Sequence, residues 1–294
     1  SGTEVFAIDA VNASAPYFTS GFPVDMAFYK STAGSSGYVS SRLTGLAEGE
    51  LDTTAAFGSA SGVGYDNMTG VLSSSPGLNY YSWMWKRAPG FFDVVAYTGD
   101  GVGGRTVSHN LGVVPELMIV KGRNYAGNWT VYSAATGADK RILLNQSSAA
   151  TTNNVWQNTA PTDQNFTLSA LFDVNQFGST YIAYLFATVP GVSKVGSYTG
   201  NGSSQTIDCG FTSGARFVIV KPTSTSGNWA VVDTARGLIA GNDPLLFLNT
   251  TDAEDSTFDS FDPNSSGFAL EDNPYSNQNG ETYIFYAIAQ KQHH

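Results

Sequence analysis

Three groups of residues have the types and spacing that chemistry would need, and each has a plainer reading beside it. His109, the only histidine inside the chain, follows Ser108 in the run Val107-Ser108-His109-Asn110. A Ser-His-Asp triad needs its base on a supported element and its serine on a sharp elbow, and no Gly-x-Ser-x-Gly accompanies this pair. About a hundred residues on, the matching region carries Asp208 and Cys209 instead, so the position reads as a variable turn. Gly101-Val102-Gly103-Gly104 lies in a strand-turn-strand setting with no helix to receive a phosphate, and reads as a turn as well.

The second group is acidic: Asp252, Glu254, Asp255, Asp259 and Asp262 crowd between Asn249 and Phe268. Two carboxylates about 5 to 10 Å apart can cut a glycosidic bond, which keeps a polysaccharide-cleaving spike open as one reading. The corresponding stretch, Asn145 to Phe166, holds only Asp163, and an acidic run of this kind is more often a solvated loop. Calcium takes about six to eight oxygens, and the spacing lacks an Asp-x-Asp-x-Asp-Gly loop. No catalytic residue and no metal is therefore assigned, and no cofactor is expected. The single cysteine, Cys209, forms no disulfide within the chain and reads as a small buried thiol.

The third group suits adhesion, because sugars stack on aromatic rings and hydrogen-bond to amide side chains on loop tips. Tyr125, with Arg123 and Asn124, sits at a hairpin tip, and Tyr275, with Asn277, lies in the run Asn273 to Asn279. These five are the candidate binding residues, since their loops have no evident counterpart elsewhere in the chain. Trp129, Trp229 and Tyr38 share one recurring position, and Tyr97 and Tyr198 another, so those rings read as core.

Positioning such residues falls to short strands and tight turns. With 41% hydrophobic and 13% charged residues among 294, the chain has apolar surface to bury and too little charge for disorder. The 32 glycines, 18 phenylalanines and 15 tyrosines fit a strand-and-turn protein with few helices. A net charge of −10 with no basic run argues against a nucleic-acid partner. Tyr181 to Val189, the longest apolar stretch, is about half of what a bilayer-spanning helix needs, so membrane insertion is not expected. The start at Ser1 and the Lys291-to-His294 ending suggest a processed or excised piece with a tail or tag remnant over 291–294.

Self-similarity decides the architecture. Tyr97-Thr98-Gly99-Asp100-Gly101 recurs as Tyr198-Thr199-Gly200-Asn201-Gly202, and Ile119-Val120-Lys121 with Gly127-Asn128-Trp129 recurs as Ile219-Val220-Lys221 with Gly227-Asn228-Trp229. Leu144-Asn145 matches Leu248-Asn249, Trp156 matches Phe258, and Tyr181 to Tyr184 matches Tyr283 to Tyr286. Aligned on Tyr80 and Pro89-Gly90, a divergent first copy follows, in which Lys30 precedes Tyr38 as Lys121 precedes Trp129. The expected units are 1–90, 91–190 and 191–290. Within a unit the period is two. Phe217 to Lys221 and Trp229 to Asp233 read as a hairpin, Tyr198 and Gln205 to Ile207 as strands across a glycine turn, and Tyr283 to Ala289 as a closing strand buried on both faces. A short helix is marked at Ala235 to Ala240. The fold class is all-β, with three tandem antiparallel β-sandwich or jelly-roll-like repeats of about a hundred residues. Such repeats either stack as beads or close around a pseudo-threefold axis.

The assembled motifs, Tyr-Thr-Gly-Asn/Asp-Gly, Leu111-Gly112 with Pro115-Glu116, Ile-Val-Lys, Gly-Asn-Trp and Tyr-Ile-x-Tyr, resemble a tandem β-repeat domain of marine tailed phages. That domain occurs in their tail-fibre and virion-surface proteins, cyanophage examples among them. The first unit departs from the pattern, with Phe6-Ala7-Ile8-Asp9 replacing the glycine block and Tyr38 replacing tryptophan. The resemblance implies a place on the virion surface and an adhesive or structural role, with no catalytic residues. The expected function is thus a noncatalytic tail-fibre or tip protein that recognises a host-surface glycan or protein. It would sit beside other virion proteins and self-associate, a trimer being favoured. A capsid-decoration, shaft or filament subunit is the alternative.

Overall fold

Antiparallel strands dominate the computed structural model, which describes residues 5–291. Each third of the chain builds one large sheet. In the first, neighbouring strands run in the order Phe6–Ala10, Tyr80–Trp85, Met26–Ser31, Tyr38–Ser41, Ala47–Glu50 and Gly58–Ser59. The middle third repeats that path with Phe92–Thr98, Thr180–Phe186, Leu117–Gly122, Thr130–Ser133, Lys140–Leu143 and Thr151–Thr152. The last third has Ser193–Thr199, Thr282–Ala289, Ala215–Pro222, Ala230–Asp233 and Leu246–Phe247. Opening and closing strands pair in all three, and a hairpin follows on the closing strand's other side. Small sheets accompany them: Phe18–Thr19 with Gly70–Val71, Arg105–Ser108 with Asn165–Leu168, and Gln205–Asp208 with Gly267–Leu270 and Phe261–Asn264. The chain is all-β, as its residue pattern indicates. The residues expected to form a tail reach beyond this description, since 292–294 lie outside the described residues.

Strand alternation explains how a large sheet is buried on both faces. Leu117 and Ile119 face one way and Met118 and Val120 the other, just as Phe217 and Ile219 oppose Val218 and Val220. The outer faces pack on the small sheets, giving each third a core of its own. The inner faces of all three large sheets meet in one shared core. There Trp85 lies 5.6 Å from Phe217 and 6.2 Å from Phe186, and Phe186 lies 5.0 Å from Tyr286. Burying each such ring stabilises the fold by about 1.5–3 kcal/mol.

Hydrogen bonds close the three thirds into a ring. Lys121 Nζ donates to Thr54 O at 3.4 Å, Lys221 Nζ to Ser148 O at 3.0 Å and Lys30 Nζ to Thr250 O at 2.5 Å. Each lysine thus reaches into the preceding third, and the first reaches into the last. The indoles repeat the direction, with Trp129 Nε1 donating to Glu50 O at 2.8 Å and Trp229 Nε1 to Leu143 O at 3.0 Å. Return bonds run from Phe57 N to Arg123 O, Ala150 N to Thr223 O and Glu254 N to Thr32 O. One further tie ends on a buried ion pair: Trp83 Nε1 donates to Asp233 Oδ2 at 3.0 Å, and Arg236 of the same third holds that carboxylate at 2.7 Å with both side chains buried.

Four local expectations change. The strands on either side of Gly200 do not pair; Ser193–Thr199 joins the closing strand while Gln205–Asp208 joins the small sheet. That crossing needs glycine, because a Cβ at Gly99 would sit 2.0 Å from Gln176 O and one at Gly200 2.1 Å from Gln278 O. Ala235 to Ala240 forms a turn and bend, while the α-helical turn is Phe172–Asn175. Phe261, buried like Trp156, is its counterpart rather than Phe258, since Glu271 N donates to Ser260 O as Ser169 N does to Val155 O.

The fourth change concerns Tyr38. Phe28 pairs with Val39 as Ile119 pairs with Val131, which makes Tyr38 the counterpart of Thr130 and Ala230. Gly37 occupies the tryptophan position, and Leu51 N donates to its carbonyl as Leu144 N does to Trp129 and Leu248 N to Trp229. The first hairpin is one residue shorter, and a one-residue change moves a side chain to the other face of its sheet. Tyr38 therefore leaves the shared core and joins the outer face.

Candidate functional site

Tyr125 and Tyr275 do not project freely. Tyr125 is half-buried; its hydroxyl donates to Phe172 O and lies 3.0 Å from Tyr181 Oη, and burial pushes its phenol far above the usual range. Arg123 is half-buried, with its amide on Thr180 O and its carbonyl taking the Phe57 amide, both at 2.8 Å. Asn124 is exposed, and its Oδ1 accepts from the Thr180 amide at 3.0 Å. Tyr275 packs 5.2 Å from both Phe247 and Phe258 and donates to Asp255 Oδ2 at 3.1 Å.

The expectation for Asn277 is overturned, because its side chain is fully buried. Its Nδ2 donates to Ser203 O and Glu271 O, and its Oδ1 accepts from Asn201 N and Gln205 Nε2. Asn175 does the same work in the middle third, taking the Asp100 amide and donating to Val102 O. Asn277 is thus a recurring clamp on the glycine turn, and its loop has a counterpart after all.

Several of the residues with catalytic types are also engaged locally. His109 is buried, with Nδ1 accepting from Leu111 N at 3.1 Å and Nε2 facing Thr162 O at 2.9 Å. Of the acidic group, Glu254 pairs with Arg236 at 3.0 Å, and Asp262 lies 3.3 Å from the Gly241 amide. Asp255 accepts from Thr257 and Tyr275, and these bonds hold its carboxyl below the usual range. Among the described residues no three His, Cys, Asp or Glu side chains are placed to hold a metal ion. Cys209 is buried and its thiol is pushed up to about 12 by burial. No helix among the described residues is long and apolar enough to cross a membrane.

The concave surface that combines rings, hydroxyls and a free carboxylate lies in the first third. A cleft of about 350 Å³ opens on the outer face of its large sheet, between the loops 59–63 and 72–76. Tyr38 stacks on Tyr29 with centroids 5.6 Å apart and 25° between planes, and Tyr80 Oη meets Ser35 Oγ at 3.2 Å. Pairing of Tyr38 with Glu50 and of Ser40 with Glu48 puts both carboxylates on the same face as Tyr38. Burial, then the Glu50 charge, raises the Glu48 carboxyl. Ser73 N donates to Gly62 O at 2.9 Å and ties the two walls together.

Residues 88–292 match the family described as a domain of unknown function, DUF7483. The chain belongs to that family. No curated protein matches the chain. The DUF7483 match covers the middle and last thirds, where Asn175 and Asn277 clamp equivalent turns and Trp129 and Trp229 donate across equivalent joins. The Tyr38 cleft lies wholly outside the DUF7483 match. The sequence pattern marks Tyr38 as a core ring and Tyr80 only as a point of alignment, and leaves Glu48 unmarked. A signal was present, however: Gly37-Tyr38-Val39 aligns with Trp129-Thr130-Val131 and Trp229-Ala230-Val231 if the valines are matched rather than the spacing from lysine.

Proposed function

We propose that this protein is a noncatalytic component of a tailed-phage virion surface, a tail fibre or tip that recognises a glycan or protein on the host cell. The observation that carries this reading is the open cleft of rings and hydroxyls, on a body where His109, Glu254 and Asp255 are engaged in local hydrogen bonds and an ion pair. The likeness of the recurring motifs to virion-surface repeats supports that location. A homo-oligomer, a trimer being favoured, and contact with other virion proteins go with the proposal; nucleic acid and membrane insertion do not.

Labelled protein should bind whole bacterial cells of a susceptible host, and antibody against it should mark the distal tail of the particle. A protein that labels no susceptible cells and is found only on the capsid would favour the second reading, a decoration or shaft subunit. Exposed apolar side chains at one end of the middle third, Val102, Phe172 and Phe177, favour that second reading. Cleavage of surface polysaccharide abolished by Asp255→Asn or Asp259→Asn would support the spike reading instead.

A further inference from the structure

We propose that the cleft of the first third is a subsite for one or two uncharged sugar rings, built around the outer face that Tyr38 reaches through the shortened hairpin. The inference rests on the recognition reading and names the ligand chemistry of that site. Where the sister sheets carry Thr130 and Ala230, the first carries a tyrosine stacked on Tyr29 and still half-exposed. The C–H face of a sugar packs on such a ring.

Selection against negative charge comes from the lining. Ser59, Ser61, Ser74 and Ser75 are exposed at the rim, and no Lys, Arg or His lines the cleft. A phosphate, sulfate or uronate would meet Glu48, with Glu50 on the same face of the sheet and no cation in the lining to offset them. Glu48, half-buried, has no ion pair or side-chain hydrogen bond among the described residues. Its carboxylate can accept from sugar hydroxyls, which relieves the cost of burying it unpaired. The four serines add hydroxyl partners that the hydroxyls of a sugar can match. At about 350 Å³ the cleft stands at the small end of ligand sites, which span about 300–1,000 Å³.

The test is titration calorimetry of the full chain with neutral glucose-, galactose- and mannose-containing oligosaccharides, beside glucosamine oligomers and uronate oligomers. We expect a neutral oligosaccharide to bind, Tyr38→Thr to weaken it about tenfold and Glu48→Gln several-fold, with far-ultraviolet circular dichroism and melting temperature close to those of the parent. Binding of only the charged oligomers, binding of none, or unchanged affinity in both variants would each overturn the proposal. Cell labelling separates it from the broader reading. If both variants label cells like the parent, recognition stands and this cleft is not its site; if the parent labels no cells yet binds a neutral sugar through Tyr38, the subsite stands and host recognition falls.

Discussion

Lys221 shows how much a single buried residue does here. Its ammonium donates to Ser147 O, Ser148 O and Pro222 O, joining the last third to the middle one. Burial pushes its amine down to about 7, and that of Lys121 to about 8. In the unfolded chain both return to 10.5, so between about pH 7 and 10.5 the unfolded state holds protons that the folded state has released. Stability therefore rises with pH across that window. Melting followed from pH 7 to pH 9 should gain about 1–3 kcal/mol, and Lys221→Met should flatten the curve. A parent curve that is flat or falls would contradict this. The Asp233–Arg236 pair makes a second case: Arg236→Met strands a fully buried carboxylate at the join with Trp83 and should destabilise by about 3–5 kcal/mol in urea unfolding.

At the scale of elements, the turns that cross from large to small sheet depend on side-chain clamps more than on the turn residues alone. Asn277→Ala removes four hydrogen bonds around the Gly200 turn and should destabilise by about 2–4 kcal/mol in denaturant melts, while sugar affinity at the distant cleft stays unchanged. Loss of affinity with intact stability would mean that Asn277 acts as a ligand contact. Trp129 acts on a join rather than a turn, filling the shared core while donating to Glu50 O. Trp129→Ala should therefore cost about 3–5 kcal/mol, read in the same melts, and loosen the first third against the middle one.

For the whole molecule, the shared core couples the thirds. Met26, Phe28, Trp83 and Trp85 close one side of it, so a fragment running from 91 to 291 would leave the facing rings Phe92, Phe186 and Phe217 in water. That fragment should bind hydrophobic dyes and lack a sharp melt, while the full chain unfolds in one transition by both circular dichroism and tryptophan fluorescence. Two separated transitions in the full chain would show that the thirds are independent. The same coupling gives the cleft a rigid floor, because Tyr38 and Tyr29 lie on the reverse of the sheet that buries Phe28 and Val39.

Much of this was legible in the residues alone. Apolar runs of period two marked the Phe217 and Trp229 hairpin and the closing strand at Tyr283, and recurring Tyr97 and Tyr198 marked one packing position, each stacked on a closing-strand tyrosine at 5.1 Å. Those features are local, since alternation and turn chemistry act over a few residues. Tyr38 and Asn277 were misplaced for the opposite reason. The face a strand residue occupies depends on hairpin length and register, and the burial of a loop amide depends on which turn folds against it, seventy or more residues away. Residue order thus determined that this chain makes short antiparallel strands with recurring rings and glycines. Only packing in three dimensions decided which rings close the common centre and which one is left facing a cleft, because facing surfaces, not neighbours in the chain, choose what is buried.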